Sequence, residues 1–249
     1  MQYKAIFIDI DDTILDYVPC CQEAFDAAMY VLIAEKVGVT GRQFMERKEE
    51  LFDLFFAIAG RLFSEAKHGQ HTIAEVMDLY PAEFIEKSKL VNSNIPDYEQ
   101  KLVQITEIFK HAFRAAWGKT HTLVPGTKET LDALRSKGYR LFAASNSFGH
   151  LQRSRLQYAE VLDYFEKTFI SMDIGYDKPD IRFFQHALAE VNLQPSEVLM
   201  VGDSMTTDIL GAQAAGIDTC FFDRRPEEVK DTSVATFTIH ALRELPEII

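Results

Sequence analysis

Val198–Phe222 reads VLMVGDSMTTDILGAQAAGIDTCFF. Val198 to Val201 is an apolar run of strand length that stops at Gly202-Asp203-Ser204, and Ile217 to Phe222 is a second such run. Between them, Thr206 to Ala215 is predicted as a helix that Gly216 ends. Strand, helix and strand in that order make one parallel crossover. The same rhythm extends toward the N-terminus, where Thr127 to Lys137 reads as a helix closed by Gly138, Tyr139 to Ala144 as a buried strand, and Ile181 to Val191 as a helix. Toward the C-terminus, Ala235 to Ile239 reads as a last short strand and Ala241 to Leu245 as a helix. Tyr3 to Ile8 opens the chain as a buried strand. The predicted fold class is α/β, a doubly wound parallel sheet.

One long segment breaks this rhythm. From about Cys21 to Trp117 there are few Gly or Pro, and apolar residues recur at three- and four-residue spacing, which predicts three or four helices. Gly38 stands where a helix C-cap would, Thr40 and Gln43 make a capping box, and Pro96-Asp97 can start a helix. Residues 1–16 and 122–249 are therefore assigned to the α/β core and 17–121 to an inserted all-α domain. Phe52, Phe55, Phe56 and Trp117 fall at helical spacing inside the insert, which makes them core before it makes them a base-stacking site.

Bulk properties narrow the function classes. A chain of 249 residues, 47% hydrophobic, can bury a substantial core. No apolar run approaches the roughly 20 residues that span a bilayer, and no signal-peptide pattern precedes Asp9, so the expected location is cytoplasmic, with no membrane partner. Three cysteines, two of them adjacent at Cys20 and Cys21, do not make a disulfide framework, and reduced thiols are expected. A formal net charge of −12 without a basic cluster argues against a nucleic-acid polymer as partner. His68 and His71 read as loop residues without a ligand role.

In open parallel sheets, ligands collect beyond the carboxyl ends of the strands. The polar residues that follow the apolar runs fall at those ends. Asp9-Ile10-Asp11-Asp12-Thr13 puts three carboxylates in five residues, and their repulsion calls for a cation or a proton. Magnesium suits such a hard oxygen site, although the pentapeptide alone also reads as an acidic turn. Ser145-Asn146-Ser147 offers a hydroxyl and backbone N–H groups to a phosphate oxygen, or is a polar turn. Lys178, before Pro179, could neutralise charge on a transferring phosphoryl group, or be a solvated lysine. Asp203 and Asp208 supply one carboxylate at a loop and another at a helix start, where an N-terminal cap would equally explain Asp208.

Taken in order, Asp9-Ile10-Asp11-Asp12-Thr13, Ser145-Asn146, Lys178-Pro179 and Gly202-Asp203-Ser204 with Asp208 resemble the four motifs of the haloacid dehalogenase superfamily. The helical insert matches the position of that superfamily's α-helical cap, and Gly211 to Gly216 resembles its small-residue helix after the fourth motif. The resemblance implies a Rossmann-like core and a magnesium-dependent phosphatase acting on a small phosphate ester. In that mechanism Asp9 is the nucleophile that forms an aspartyl-phosphate, and Asp11 is the acid and base. Ser145 and Asn146 hold the phosphoryl group, together with Asp9 and Lys178, and Lys178 stabilises its developing charge. Asp9, Asp203 and the Asp11 backbone carbonyl hold Mg²⁺, supported by Asp208. The acid at position 11 and the retained Asp203 separate the chain from true dehalogenases. Phe169 to Asp180, Val198 to Gly202 and Gly216 to Cys220 further resemble the branch of bacterial noncanonical pyrimidine 5′-nucleotidases, which implies a nucleoside 5′-monophosphate as substrate. A sugar phosphate or phosphoglycolate as substrate, a phosphomutase, and a phosphoryl-accepting signalling module stay open beside it, as does oligomeric state.

Overall fold

A computed structural model of the chain describes residues 3–224 and 231–249. Two compact units are distinguished, Met1–Tyr17 with His121–Ile249 and, between them in sequence, Val18–Thr120.

The first unit is built on strands β1 (Ala5–Ile8), β2 (Arg140–Ser145), β3 (Lys167–Ile170), β4 (Val198–Gly202), β5 (Asp218–Phe222) and β6 (Phe237–Ile239). Among the described residues they form one six-stranded sheet, parallel throughout, in the order β3-β2-β1-β4-β5-β6. The sheet is covered on both faces, as the continuous apolar strand sequences require. Strand residues alternate between the two layers. Ile6, Ile8, Leu141, Ala143, Leu199 and Val201 join one buried cluster, and Ala5, Phe7, Phe142, Ala144, Val198 and Met200 join the other.

Along the chain, α1 (Tyr17–Ala34), α2 (Gly41–Lys67), α3 (Ile73–Ser88) and α4 (Tyr98–Trp117) follow β1, and α5 (Thr127–Ser136) leads into β2. Next come α6 (Gly149–Tyr158) between β2 and β3, then α7 (Ser171–Ile174) and α8 (Ile181–Val191) between β3 and β4. A π-helical turn, Met205–Leu210, runs into α9 (Gly211–Ala214) before β5, and α10 (Leu245–Ile248) closes the chain. Leu131 and Leu134 of α5 and Leu156 of α6 cover one sheet face; Phe183, Phe184 and Ala187 of α8 cover the other.

The structure adds α6, β3 and α7 to the elements read from sequence. Their patterns are weak: α6 is mostly polar, and β3 starts with the exposed Lys167. The predicted helix Thr206–Ala215 is π-helical in its first part, where both Asp208 and Ile209 donate their N–H groups to the Ser204 carbonyl at 3.0 and 3.2 Å. Gly38 is not the cap of α1, which ends at Ala34; the exit turn instead uses positive φ at Lys36 (54°) and Gly38 (103°).

In the second unit, Thr40 with Gln43 and Thr72 with Glu75 close capping boxes at the starts of α2 and α3. Its centre is aromatic. Phe55 lies 5.1 Å from Phe25, 5.4 Å from Phe84 and 5.1 Å from Phe113, ring centre to ring centre, and is buried. Phe52 packs on Phe25 and on Phe56, and Trp117 stacks on Phe113. Phe55→Ala removes the hub of this cluster and is expected to cost about 3–5 kcal/mol. Denaturant unfolding measures it, and a loss below about 1 kcal/mol would contradict a packed aromatic centre. Among the described residues no helix is long and apolar enough to cross a membrane.

Candidate active site

The strand order reverses direction between β1 and β4, and a crevice at such a switch point is where open parallel sheets place ligands. The carboxyl ends of these two strands carry Asp9 and Asp203. Asp9 continues the ladder by donating its N–H to the Val201 carbonyl at 2.9 Å, which sets its side chain at the sheet edge. The chain then turns back tightly: the Ile10 carbonyl accepts from Ile14 and Leu15, both at 2.8 Å, and Asp12 takes φ 60°, which Asp tolerates better than most residues. Arg224 secures the turn from outside, with Nη1 3.0 Å from Asp12 Oδ1 and Nη2 3.0 Å from Asp16 Oδ2.

Lys178 stands at the centre and is 3% exposed. Its three ammonium protons have three acceptors: Asp9 Oδ1 at 2.7 Å, Asp208 Oδ1 at 2.6 Å and the Ala144 carbonyl at 2.8 Å. Asn146 holds the lysine by its backbone, accepting from Lys178 N–H and donating to Lys178 C=O, each at 2.7 Å. One Nδ2 proton and one Oδ1 lone pair of the Asn146 carboxamide are thus engaged in placing Lys178. Ser145, at the end of β2 beside it, is buried.

Asp208 is held by the π-helical turn, its Oδ2 accepting the Ser204 N–H at 3.0 Å. Gly202 makes room for that carboxylate, since a Cβ there would lie 2.3 Å from Asp208 Oδ2. Asp9, Asp203 and Asp208 each offer a carboxylate oxygen, all within 4.8 Å of one another. Three carboxylates facing one ammonium leave a surplus of negative charge. Burial, and then Asp208 and Asp203, push the Asp9 carboxyl well above its ordinary range against the pull of Lys178. Burial acts to lower the Lys178 ammonium, but Asp208 and Asp9 outweigh it and hold the group above its usual value. A hard divalent cation fits this donor set, because it supplies the missing positive charge to oxygen ligands.

The Asp11 carboxylate does not join that cluster. It turns toward α6, where Oδ1 accepts from Arg155 Nη1 and Oδ2 from Gln152 Nε2, both at 2.6 Å. Gln152 Nε2 also donates to Ser145 Oγ at 3.0 Å. These two α6 residues were absent from the sequence reading. Their only signal was an i, i+3 pair of polar residues just after Ser145-Asn146, a pattern shared with any solvated helix face.

Residues 3–216 match the haloacid dehalogenase-like hydrolase family. Over 250 residues the chain is 26% identical to Pyrimidine 5′-nucleotidase YjjG of Escherichia coli (strain K12), covering 100% of this chain and 99% of that protein. It is 28% identical over 251 residues to the Glyceraldehyde 3-phosphate phosphatase of Methanothermobacter thermautotrophicus, covering 99% of each. Among solved structures, the HAD-hydrolase YfnB from Bacillus subtilis, crystallised with magnesium, superposes with a TM-score of 0.75 at 24% identity, covering 100% of this chain and 99% of that one.

Proposed function

Since the chain belongs to the haloacid dehalogenase-like hydrolases and is therefore an enzyme, we propose that it is a magnesium-dependent phosphatase that hydrolyses a small phosphate monoester through an aspartyl-phosphate on Asp9. The observation that carries this reading is the buried constellation of Asp9, Lys178 and Asp208, with Asp203 and Ser145, at the carboxyl ends of β1, β2 and β4. Asp9 is fixed through Oδ1 by Lys178 and attacks phosphorus in line with its second oxygen. The Lys178 ammonium and the Ser145 hydroxyl take the charge that develops on the phosphoryl oxygens. Asp11 gives its proton to the departing alcohol, then accepts one from the water that cleaves the phosphoenzyme. Magnesium, held by Asp9, Asp203 and the Asp11 carbonyl with Asp208 in support, would offset the carboxylate charge that otherwise repels the substrate. The helical unit Val18–Thr120 is assigned the role of cap, the part that selects the leaving group.

For the leaving group, the reading is a nucleoside 5′-monophosphate, pyrimidine before purine, and the whole-length similarity to a protein named as a pyrimidine nucleotidase supports it. A triose or sugar phosphate is the competing substrate, favoured by the equally long similarity to a glyceraldehyde 3-phosphate phosphatase. A panel of dUMP, dTMP, UMP, AMP, phosphoglycolate, glyceraldehyde 3-phosphate and hexose phosphates, assayed with magnesium at equal concentration, separates them. A pyrimidine nucleotide is expected to lead in kcat/KM. A sugar or triose phosphate ahead of every nucleotide by tenfold, about 1.4 kcal/mol in transition-state binding, would remove the nucleotidase reading and leave the phosphatase.

A further inference from the structure

Gln152 and Arg155 have no part in the chemistry above, yet both are fully buried on one face of α6 and aim their polar atoms at groups that do. Arg155 Nη1 donates to Asp11 Oδ1 at 2.6 Å and to Gln152 Oε1 at 2.8 Å. Gln152 Nε2 donates to Asp11 Oδ2 at 2.6 Å and to Ser145 Oγ at 3.0 Å. A guanidinium shut away from water is a poor means of stabilising a fold, because its desolvation offsets what its ion pair contributes, and an apolar side chain of similar volume would serve the core as well.

We propose that Gln152 and Arg155 are positioning residues that together set the direction of the Asp11 carboxylate and of the Ser145 hydroxyl for phosphoryl transfer; this rests on the reading of Asp11 as proton donor. Arginine can only donate, so it fixes Gln152 Oε1 toward itself and thereby turns Nε2 toward Asp11 and Ser145. The two amide protons are then both used. Ser145 Oγ, already accepting from Gln152, keeps its own proton for a phosphoryl oxygen. A carboxylate has about four lone-pair sites, and the two α6 donors occupy one on each oxygen. That holds the Asp11 plane in one orientation while leaving a site on each oxygen for the proton in transit. In the first step the Asp9–phosphorus bond forms, the bond from phosphorus to the leaving oxygen breaks, and that oxygen takes the Asp11 proton. In the second, water attacks phosphorus and passes its proton to Asp11, and the Asp9–phosphorus bond breaks to release phosphate. Both transfers require Asp11 to be held to within about 0.5 Å of its productive place.

The test compares kcat/KM for two esters in the magnesium-loaded full-length chain and in Gln152→Met, Arg155→Lys and Asp11→Asn. p-Nitrophenyl phosphate releases an acidic phenol that departs with little protonation. Phenyl phosphate releases a phenol resembling a tyrosine side chain, with a pKa of about 10, and needs the donor. Because kcat/KM extends only through formation of the phosphoenzyme, the phenyl-to-nitrophenyl ratio isolates proton donation. That ratio is expected to fall about tenfold in Gln152→Met and Arg155→Lys, and further in Asp11→Asn. A purely structural role lowers both substrates alike. An unchanged ratio in the two α6 variants beside a lowered one in Asp11→Asn would overturn the inference and leave Asp11 as donor; an unchanged ratio in Asp11→Asn would overturn both. If Arg155→Lys does not fold, the Gln152→Met ratio decides alone.

Discussion

Asp9→Asn is expected to lower turnover of an aryl phosphate on the order of 10⁴-fold or more, because an amide cannot form the covalent phosphoryl intermediate and the remaining groups can only bind and polarise the ester. The substitution keeps the shape of the side chain, and a carboxamide oxygen can still accept from Lys178, so the folded state is expected to survive. Two measurements check it: steady-state hydrolysis with saturating magnesium, and acid-quench trapping of phosphoprotein from a labelled ester. The unaltered chain is expected to retain label and the variant none. A rate within tenfold of the unaltered chain, or label retained by the variant, would take the nucleophile away from Asp9.

Removal of divalent metal is expected to produce the next largest loss, on the order of a thousandfold, reversed by added magnesium. The cause lies in the charge balance at the sheet edge: Asp9, Asp203 and Asp208 present oxygens within 4.8 Å of one another, and Lys178 answers only part of their charge. An incoming phosphate dianion would add to that excess, and a hard cation held by these carboxylates would relieve it, with several kcal/mol of charge stabilisation. Activity in excess chelator at the level measured with magnesium would refute a metal-dependent reaction. The metal-free protein is expected to remain folded, since Lys178 holds Asp9 and Asp208 without help, and circular dichroism with and without chelator checks that.

Much of the fold was legible in the sequence for a plain reason. The parallel sheet is buried on both faces, so its strands are uninterrupted apolar runs, and glycines such as Gly138 and Gly216 close helices at positive φ (86° and 79°). Both signals are local. What failed was also local: α6 and β3 carry too little apolar periodicity to be seen, and the π-helical start after β4 depends on Ser204 and Asp208 meeting the backbone, which no periodicity encodes.

The candidate site divides along the same line. The sequence by itself determined which residue types end each strand, and therefore that Asp9, Ser145 and Asp203 would gather at one edge, because strand ends in a parallel sheet share a side. It did not determine what each side chain would touch. Only the tertiary structure decided that Lys178 enters between Asp9 and Asp208, that the Asn146 carboxamide clamps the lysine backbone, and that the Asp11 carboxylate faces Gln152 and Arg155. These contacts join residues 30 to 169 positions apart in the chain. Their partners are chosen by hydrogen-bond geometry and by the charge that burial leaves unanswered, quantities that exist only once the chain has closed around them.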